Sequence, residues 1–393
     1  MTTAKPPNPE DAALFPRFSP REYERRFRAV RQLMEREGVE ALVMQGTGAT
    51  QNALHYLTNY YPWVPAWLVF PRQGPSSLHL HFANHIPCTR VMSIVDDVRC
   101  YWPSAANAVA EDLKARGLGK GRVGIYGLAQ SIPYAQFVAL QRALPEVEFV
   151  DLARQYDAIR LVRSEEEIEW FRKSGRLCDL TCEALEARIK PGMSEHDLSV
   201  VVHEAFIPQG GQMGIHFMSA MNMDTPDRYV PWQFATSRRL AERSVLITEI
   251  TIAYWTYGAQ IHRPFAVGAE PTPVFRRLYD VAFECYEAIR RIARPGTTSE
   301  EIVAATRCIE EAGFSAYDSV FHGEMGKGPE LGTTTSGHPL EPYTLRENQV
   351  VVIQPQPITR DHTAGLQLGA AVVVRPSGGE PLHDYPFKFV VCR

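Results

Sequence analysis

The sequence predicts a mixed α/β fold in two domains, the second of which is built from two similar α-α-β halves. Strand-like and helix-like segments alternate over about the first 155 residues. A helix–turn–helix pattern with a Pro-Gly turn then occurs twice, and strand-like sequence follows each copy. A chain of 393 residues has room for two such domains, each with its own core.

The first domain begins at a helix that its capping residues mark. Ser19-Pro20-Arg21-Glu22 reads as a capping box with Pro in the first helical position, and Gly38 is placed to end the helix. Strands are expected over 40–44, 66–70, 78–82 and 123–126, and a helix over 133–144. We expect an N-terminal arm over residues 1–18, the α/β domain over 19–158 and the second domain over 159–393.

The second domain shows the repeated pattern. A capping box at Ser164 opens a long helix that ends at Lys190-Pro191-Gly192, and a second helix is expected over 194–206. The pattern returns in a helix over 275–293, the turn Arg294-Pro295-Gly296 and a helix over 299–312. This repetition predicts two halves related by a pseudo-two-fold axis, whose interface is a natural place for a pocket.

Composition and charge limit the partners of the protein. Apolar residues make up 45% of the chain and charged residues 22%, which is ordinary for a globular protein. The net charge of −4 and the lack of a basic run argue against nucleic acid and a membrane surface as partners. The seven cysteines are scattered, and the N-terminus has no apolar signal core, so we expect a cytoplasmic location.

Three polar residues interrupt a largely apolar predicted hairpin. The segment Glu249–Gly268 alternates like a strand, turns near Tyr257-Gly258 and continues as a second strand. Glu249, Gln260 and His262 are the polar residues, and buried polar groups need partners. They predict either a functional site or a structural arrangement, such as an ion pair of Glu249 with Arg263 and a hydrogen-bonded strand histidine.

Several motifs resemble the pita-bread hydrolases, the family of creatinase, prolidase, aminopeptidase P and methionine aminopeptidase. They are the Pro-Gly turns, the hairpin end Arg263–Gly268, His322-Gly323 and Val351–Pro355, in the family's order. The first domain, including His55–Asn59, resembles the smaller domain of the creatinase and prolidase branch. The resemblance implies the pita-bread fold for the second domain and a homodimer as the assembly.

The resemblance also implies a metal site, from which this chain departs. The family's usual site is a pair of divalent ions held by two Asp on the hairpin, one His and two later Glu. The matching positions are Glu249, Gln260, His322, Gln354 and a position near Gly369, with Gln367 two residues before it. One carboxylate, one imidazole and neutral amides offset the charge of two divalent ions poorly, so we expect no metal and no other cofactor.

The metal-free creatinase branch supplies the functional expectation. By that resemblance we expect a metal-independent hydrolase or lyase that cleaves a C–N or similar polar bond of a small molecule by acid–base catalysis. Imidazoles titrate near neutral pH and can both accept and donate protons. The expected catalytic residues are His262, His322 and Glu249. The expected substrate-binding residues are Gln260, Gln354, Gln367, Tyr229, Trp232 and Glu330.

Two other functions remain open at this point. One is a metal-dependent Xaa-Pro aminopeptidase or dipeptidase, in which Glu249 and His322 would recruit further ligands such as Glu324 or Glu330. The other is a non-catalytic protein that binds a ligand in a pocket of the same fold.

Overall fold

The chain forms two compact units, one that ends at Arg160 and one that spans Leu161–Arg393. The structure, a computed structural model, describes residues 10, 13–48, 51–324, 328–337 and 340–393, and for Gln51 the backbone alone. Most of the predicted N-terminal arm, residues 1–18, lies outside the described residues. Among the described residues, no helix has both the length and the apolar composition that crossing a bilayer requires.

The first unit contains six strands and six helices in the described part of the chain. The strands are β1 (Ala41–Gly46), β2 (Ala66–Pro71), β3 (Ser77–Leu80), β4 (Asp97–Cys100), β5 (Lys120–Tyr126) and β6 (Glu146–Asp151). The helices are α1 (Pro20–Glu37), α2 (Gln51–Thr58), α3 (Ile86–Met92), α4 (Ala105–Ala115), α5 (Tyr134–Ala143) and α6 (Ala153–Arg160). Ser19 caps α1 as predicted, and Gly38 ends it in a left-handed conformation.

The strands of the first unit form one sheet that is covered on both faces. The strand order is β4-β3-β2-β1-β5-β6, and β1 pairs antiparallel with β2 but parallel with β5. Successive side chains of β1 enter opposite cores: Leu42 packs with α1, and Val43 packs with α4. This two-sided burial explains why the strands read as apolar runs in the sequence.

The second unit contains a large sheet with two groups of helices. The helices are α7 (Glu165–Arg188), α8 (Glu195–Phe206), α9 (Pro273–Ile292), α10 (Ser299–Ala305) and α11 (Arg307–Glu311). The strands of the first half are β7 (Gln212–Asn222), β8 (Ser244–Tyr254), β9 (Tyr257–His262) and β10 (Phe265–Val267). The later strands are β11 (Ser315–Ala316), β12 (Phe321–Gly323), β13 (Glu330–Leu331), β14 (Val350–Ile353), β15 (Pro357–Ile358), β16 (Gly369–Arg375), β17 (Gly378–Pro381) and β18 (Val390–Cys392).

The order of the large sheet places the two halves side by side. It runs β13-β12-β14-β16-β9-β8-β10-β18, with β7 also paired to β8 and β17 to β16. Helices α7 and α8 pack on the β8 and β9 side, and α9 to α11 pack on the β14 and β16 side. The β9–β16 pairing therefore joins the halves, and it brings His262 opposite Gly369.

Two element boundaries differ from the sequence-based expectation. The helix expected over 299–312 is interrupted at Thr306, whose N–H and hydroxyl both bond to the Val303 carbonyl and tighten the turn. The hairpin turns at Trp255-Thr256 and not at Tyr257-Gly258, because Trp255 adopts a positive φ of 56° while Gly258 pairs with Ala253 in the ladder. The predicted turn lay two residues too far along the chain, because glycine is common in turns and Gly258 was taken as part of one.

A fully buried guanidinium ties β9, β16 and the segment before β18 together. Arg263 is 0% exposed, and its side chain lies over the Phe387 ring, with 3.8 Å between the guanidinium carbon and the ring centroid. Its N–H groups donate to four backbone carbonyls at 2.8–3.0 Å, those of His262, Gly369, Tyr385 and Pro386. The expected alternative of a Glu249–Arg263 ion pair is not formed, since these bonds occupy the guanidinium.

We predict that Arg263→Lys lowers the free energy of unfolding by about 3 kcal/mol, because an ammonium cannot bond four carbonyls in a planar fork and leaves some of them buried without a donor. Urea unfolding followed by circular dichroism measures the change. Arg276→Lys, at an exposed site on α9, is the matched control. Equal unfolding midpoints for the two variants would contradict the prediction.

Candidate functional site

The second unit contains a cavity of about 540 Å³ beside β7 and β8. Its volume lies within the range of about 300–1,000 Å³ that is typical of small-molecule sites. The residues that line it are Phe217, Val230, Pro231, Trp232, Gln233, Phe234, Thr236, Glu249, Tyr317, Asp318, Gln354, Gln356 and Gln367. Four of these, Glu249, Gln354, Gln367 and Trp232, were expected from the sequence.

The sheet places Glu249 and Gln260 on one face. Thr251 pairs with Gln260 across the hairpin, and Glu249 lies two residues before Thr251, so all three side chains point to the same side. The Gln260 amide nitrogen donates to one carboxylate oxygen of Glu249 at 2.7 Å. The Gln367 amide nitrogen donates to the other carboxylate oxygen at 3.3 Å. Glu249 is therefore held by two neutral donors, one from β9 and one from the segment before β16.

Two further glutamines contribute to the lining of the cavity. Gln354 and Gln356 follow β14, and both amide nitrogens donate to the Ser319 carbonyl, at 3.1 and 3.0 Å. The side-chain oxygens of Gln354 and Gln367 are buried without a hydrogen-bond partner. Because a carbonyl or carboxylate accepts from each amide nitrogen, these contacts fix which end of each amide is the oxygen.

The aromatic wall is positioned by Glu195, the first residue of α8. Its carboxylate accepts from the Thr236 N–H at 2.8 Å and from the Arg228 guanidinium at 2.9 Å. Arg228 in turn lies 3.6 Å from the centroid of the Trp232 ring system. Trp232 also exchanges two backbone hydrogen bonds with Met218 of β7. The loop that forms one wall is thus fixed to the sheet at several points.

The environment of Glu249 favours its protonated form. Burial raises the pKa of Glu249 above its ordinary value of 4.5, and the negative charge of Asp318 raises this pKa further. The hydrogen bonds from Gln367 and Gln260 oppose this rise without cancelling it. Two carboxylates, those of Glu249 and Asp318, therefore line the same cavity.

His262, expected as a catalytic residue, is not part of the cavity lining. It is 0% exposed, and neither ring nitrogen has a hydrogen-bond partner of good geometry. Burial, with smaller contributions from His322 and Arg263, holds the pKa of His262 well below 6.5, so the imidazole is neutral at pH 7. The His262 side chain lies on the same strand face as Gln260, but it is fully buried and is not among the residues that line the cavity.

His322 and Glu330 lie on a neighbouring part of the sheet. The two residues pair across β12 and β13, and neither lines the cavity. The Nδ1 of His322 lies 2.8 Å from the Gly323 carbonyl, so this nitrogen donates the hydrogen bond. Glu324, considered as a further metal ligand, is buried in an ion pair with Arg163 at 2.8 Å.

Tyr229, expected to bind substrate, is not among the lining residues but contacts one of them. The Tyr229 ring lies 5.1 Å from that of Tyr317, which itself lines the cavity.

Several residues that line the cavity were not predicted from the sequence. They are Asp318, Gln356, Phe217, Phe234 and Tyr317. Gln356 could have been found, because Gln354-Pro355-Gln356 repeats an amide at strand spacing, whereas Asp318 and Tyr317 lie in a short loop without a pattern.

The residues present do not fit the pair of divalent metal ions that the resemblance implied. Both oxygens of Glu249 accept N–H donors, which would have to move before a cation could bind there. Gly369, near the last ligand position, lies so close to β14 that a Cβ atom would come within 2.1 Å of the Ile353 carbonyl oxygen. Among the described residues, no three His, Cys, Asp or Glu side chains group as metal ligands.

Comparison with known proteins identifies both units. A family model described as metallopeptidase family M24 matches residues 169–376. A second, described as the creatinase/prolidase N-terminal domain, matches residues 26–162.

Relatives and solved structures agree with these matches. An uncharacterized hydrolase/peptidase of Sinorhizobium fredii is 25% identical, with 95% of this chain and 98% of the relative covered. An Xaa-Pro dipeptidase of Pyrococcus horikoshii is 22% identical, with 65% and 72% covered. The crystal structure of an X-Pro aminopeptidase from Thermotoga maritima superimposes with a TM-score of 0.81 at 17% identity, covering 93% of this chain and 99% of that one. This likeness confirms the predicted pita-bread architecture.

The comparisons correct the functional expectation. A metal-independent small-molecule hydrolase or lyase was expected from the replaced metal ligands, and this expectation is wrong. The matching model is one of metallopeptidases, and the relatives with a named activity include Xaa-Pro dipeptidases. The replaced side chains were over-interpreted, because a change of ligands at a site does not by itself identify a new substrate class.

We predict that Glu249→Gln becomes progressively more stabilising, relative to the native protein, as the pH rises from about 4 to about 8. A carboxyl whose pKa is raised by folding lowers the stability of the fold as it ionises, from the ordinary value of 4.5 upward, and glutamine does not ionise. Melting temperatures measured across this pH range test the sign. Glu284→Gln, at an exposed site on α9, is the control. A difference between Glu249→Gln and native protein that is constant with pH would contradict the prediction.

Proposed function

Because the chain belongs to metallopeptidase family M24, we propose that its cavity recognises short peptides of the Xaa-Pro class. The observation that carries this proposal is the cavity at Glu249, which combines amide and carboxylate groups with an aromatic wall in the family's catalytic-type domain. The peptide class comes from the relatives that are named Xaa-Pro dipeptidases. A dipeptide fits a cavity of about 540 Å³.

The lining supplies complementary contacts for such a ligand. The unpartnered side-chain oxygens of Gln354 and Gln367 can accept N–H groups of a peptide. Trp232 and Phe234 offer flat apolar surface for a prolyl ring. These contacts bind and orient a peptide.

Metal-dependent peptide hydrolysis is a second candidate, and the hydrogen bond of His322 favours it. Its Nδ1 donates to the Gly323 carbonyl, and metal-binding histidines commonly donate one ring nitrogen to a carbonyl while the other nitrogen binds the metal. The relatives named as dipeptidases support the same activity.

The location and the assembly are also proposals. Seven free thiols agree with a reducing compartment such as the cytoplasm. A homodimer follows from the family resemblance, and sedimentation measurements would test it.

We predict that Ala-Pro binds the native protein and that Trp232→Ala weakens this binding about tenfold, because the variant removes an aromatic wall from the cavity. Isothermal titration calorimetry measures both affinities. Trp102→Ala removes a more exposed tryptophan of the first unit and is expected to leave the affinity unchanged. Failure of native protein to bind Ala-Pro or related Xaa-Pro dipeptides would refute the proposed function.

The same samples distinguish recognition from cleavage. Release of free proline is measured with and without added Mn²⁺. Turnover that needs Mn²⁺ and disappears in His322→Ala would establish the second candidate, whereas binding without turnover would establish recognition alone.

A further inference from the structure

Two histidines meet on the face of the large sheet that is turned away from the cavity. His203 is on α8 and His216 is on β7, and both side chains are half-buried. Across β7 and β8, Phe217 pairs with Glu249, and His216 pairs with Ile250. Since successive strand residues point to opposite faces, His216 points away from Glu249 and toward the core that α8 covers. This pair of imidazoles is therefore separate from the cavity.

The separation of the two rings suits a shared metal ion. Their centroids lie 5.3 Å apart, and the ring planes are inclined by 80°. A Zn–N bond is about 2.0–2.1 Å long, so two imidazoles on one tetrahedral Zn²⁺ ion have centroids about 5 Å apart. The separation of His203 and His216 matches that of two imidazoles that bind one ion.

The hydrogen bond of His203 leaves one ring nitrogen for a ligand. Its Nδ1 lies 2.7 Å from the Ser199 carbonyl, so this nitrogen donates the hydrogen bond. Metal-binding histidines commonly donate one ring nitrogen to a carbonyl while the other nitrogen binds the metal. Nε2 is therefore the atom of His203 that is available to a metal ion.

The surroundings of His216 favour its neutral form. Burial and the nearby His203 hold the pKa of His216 below 6.5. A neutral imidazole carries the lone pair that a metal ion needs, whereas a protonated imidazole does not. The fully buried ring of Phe206 lies 5.5 Å from that of His203, so the pair sits at the edge of the apolar core.

Water is left to complete the coordination of such an ion. Among the described residues, no third His, Cys, Asp or Glu side chain groups with the pair. Glu204 follows His203 in α8, but its carboxylate is paired with Arg188 at the surface. An ion with two protein ligands keeps open positions, and we expect it to bind less tightly than an ion in a closed site with four protein ligands.

We propose that His203 and His216 bind one Zn²⁺ ion, or another divalent ion that prefers imidazole nitrogen, and that this ion links α8 to β7. Imidazole suits Zn²⁺, Cu²⁺ and Ni²⁺, whereas Mn²⁺ prefers oxygen ligands. The site goes beyond the proposed function and does not rest on it, because neither histidine lines the cavity. An ion that binds only the folded protein stabilises the fold.

Equilibrium dialysis of tag-free protein against Zn²⁺, followed by elemental analysis, tests the site. The variants are compared in native protein and in His322→Ala protein, because His322 is the other candidate metal ligand. We expect His203→Ala and His216→Ala each to weaken the binding of one Zn²⁺ ion at least about tenfold, since the loss of a ligand's outer hydrogen-bond partner alone costs about 10–100-fold in affinity. His196→Ala, at an exposed histidine of the same helix, is the control and is expected to leave binding unchanged.

Melting curves distinguish a metal ligand from a residue that only packs the helix. We expect excess Zn²⁺ to raise the melting temperature of native and His196→Ala protein, and to leave that of His203→Ala and His216→Ala protein unchanged. A histidine that only packs the helix would lower the melting temperature without Zn²⁺ and would leave the rise caused by Zn²⁺ intact. X-ray absorption at the zinc edge of Zn²⁺-loaded His322→Ala protein is expected to show two imidazole ligands.

The other outcomes would overturn the inference or separate it from the proposed function. Equal Zn²⁺ binding by the parent proteins and by both variants would overturn it, as would a native protein that binds no Zn²⁺. Binding that is lost in His216→Ala but kept in His203→Ala would overturn the link between helix and strand. Zn²⁺ bound through both histidines, in protein that binds no Xaa-Pro peptide, would keep this site and refute only the proposed function.

Discussion

The second unit depends on a buried cation that holds its two halves in register. Arg263 binds carbonyls of β9, of β16 and of the segment before β18, and its guanidinium is inaccessible to solvent. Strand β9 and the segment before β16 place Gln260 and Gln367 where each donates to one carboxylate oxygen of Glu249. The geometry of the cavity therefore follows from a contact that lies outside it, because a shift of β9 against β16 would separate the two amides that hold the carboxylate.

At the cavity, neutral amides occupy the places where cations would otherwise bind. Each Glu249 oxygen accepts one N–H, and burial together with the Asp318 charge raises the Glu249 pKa above 4.5. Amides leave the charge of Glu249 uncompensated, whereas metal ions would neutralise it. The family fold is kept, while neutral amides stand at two of the matched ligand positions, Gln260 and Gln354.

The sequence predicted most of the fold because its signals are local. Ser19 and Ser164 cap the helices that they were expected to cap, and the positions of Glu249, Gln260 and Gln354 followed from the order of family motifs. The cavity itself was only partly predictable. His262 shares a strand face with Gln260, but strand alternation cannot show that neighbouring strands bury it completely. Asp318 contacts the site through tertiary packing, for which a short loop gives no periodic signal.

The acceptor groups around Glu249 do not suit a pair of divalent metal ions. Equilibrium dialysis against Mn²⁺, followed by elemental analysis of the protein, tests this when native protein is compared with Glu249→Gln and His322→Ala. We expect at most one tightly bound ion per chain in the native protein. Two tightly bound ions per chain that are both lost in Glu249→Gln would contradict this expectation. In that case the glutamine amides would have to turn away from Glu249 and leave its carboxylate to the metals.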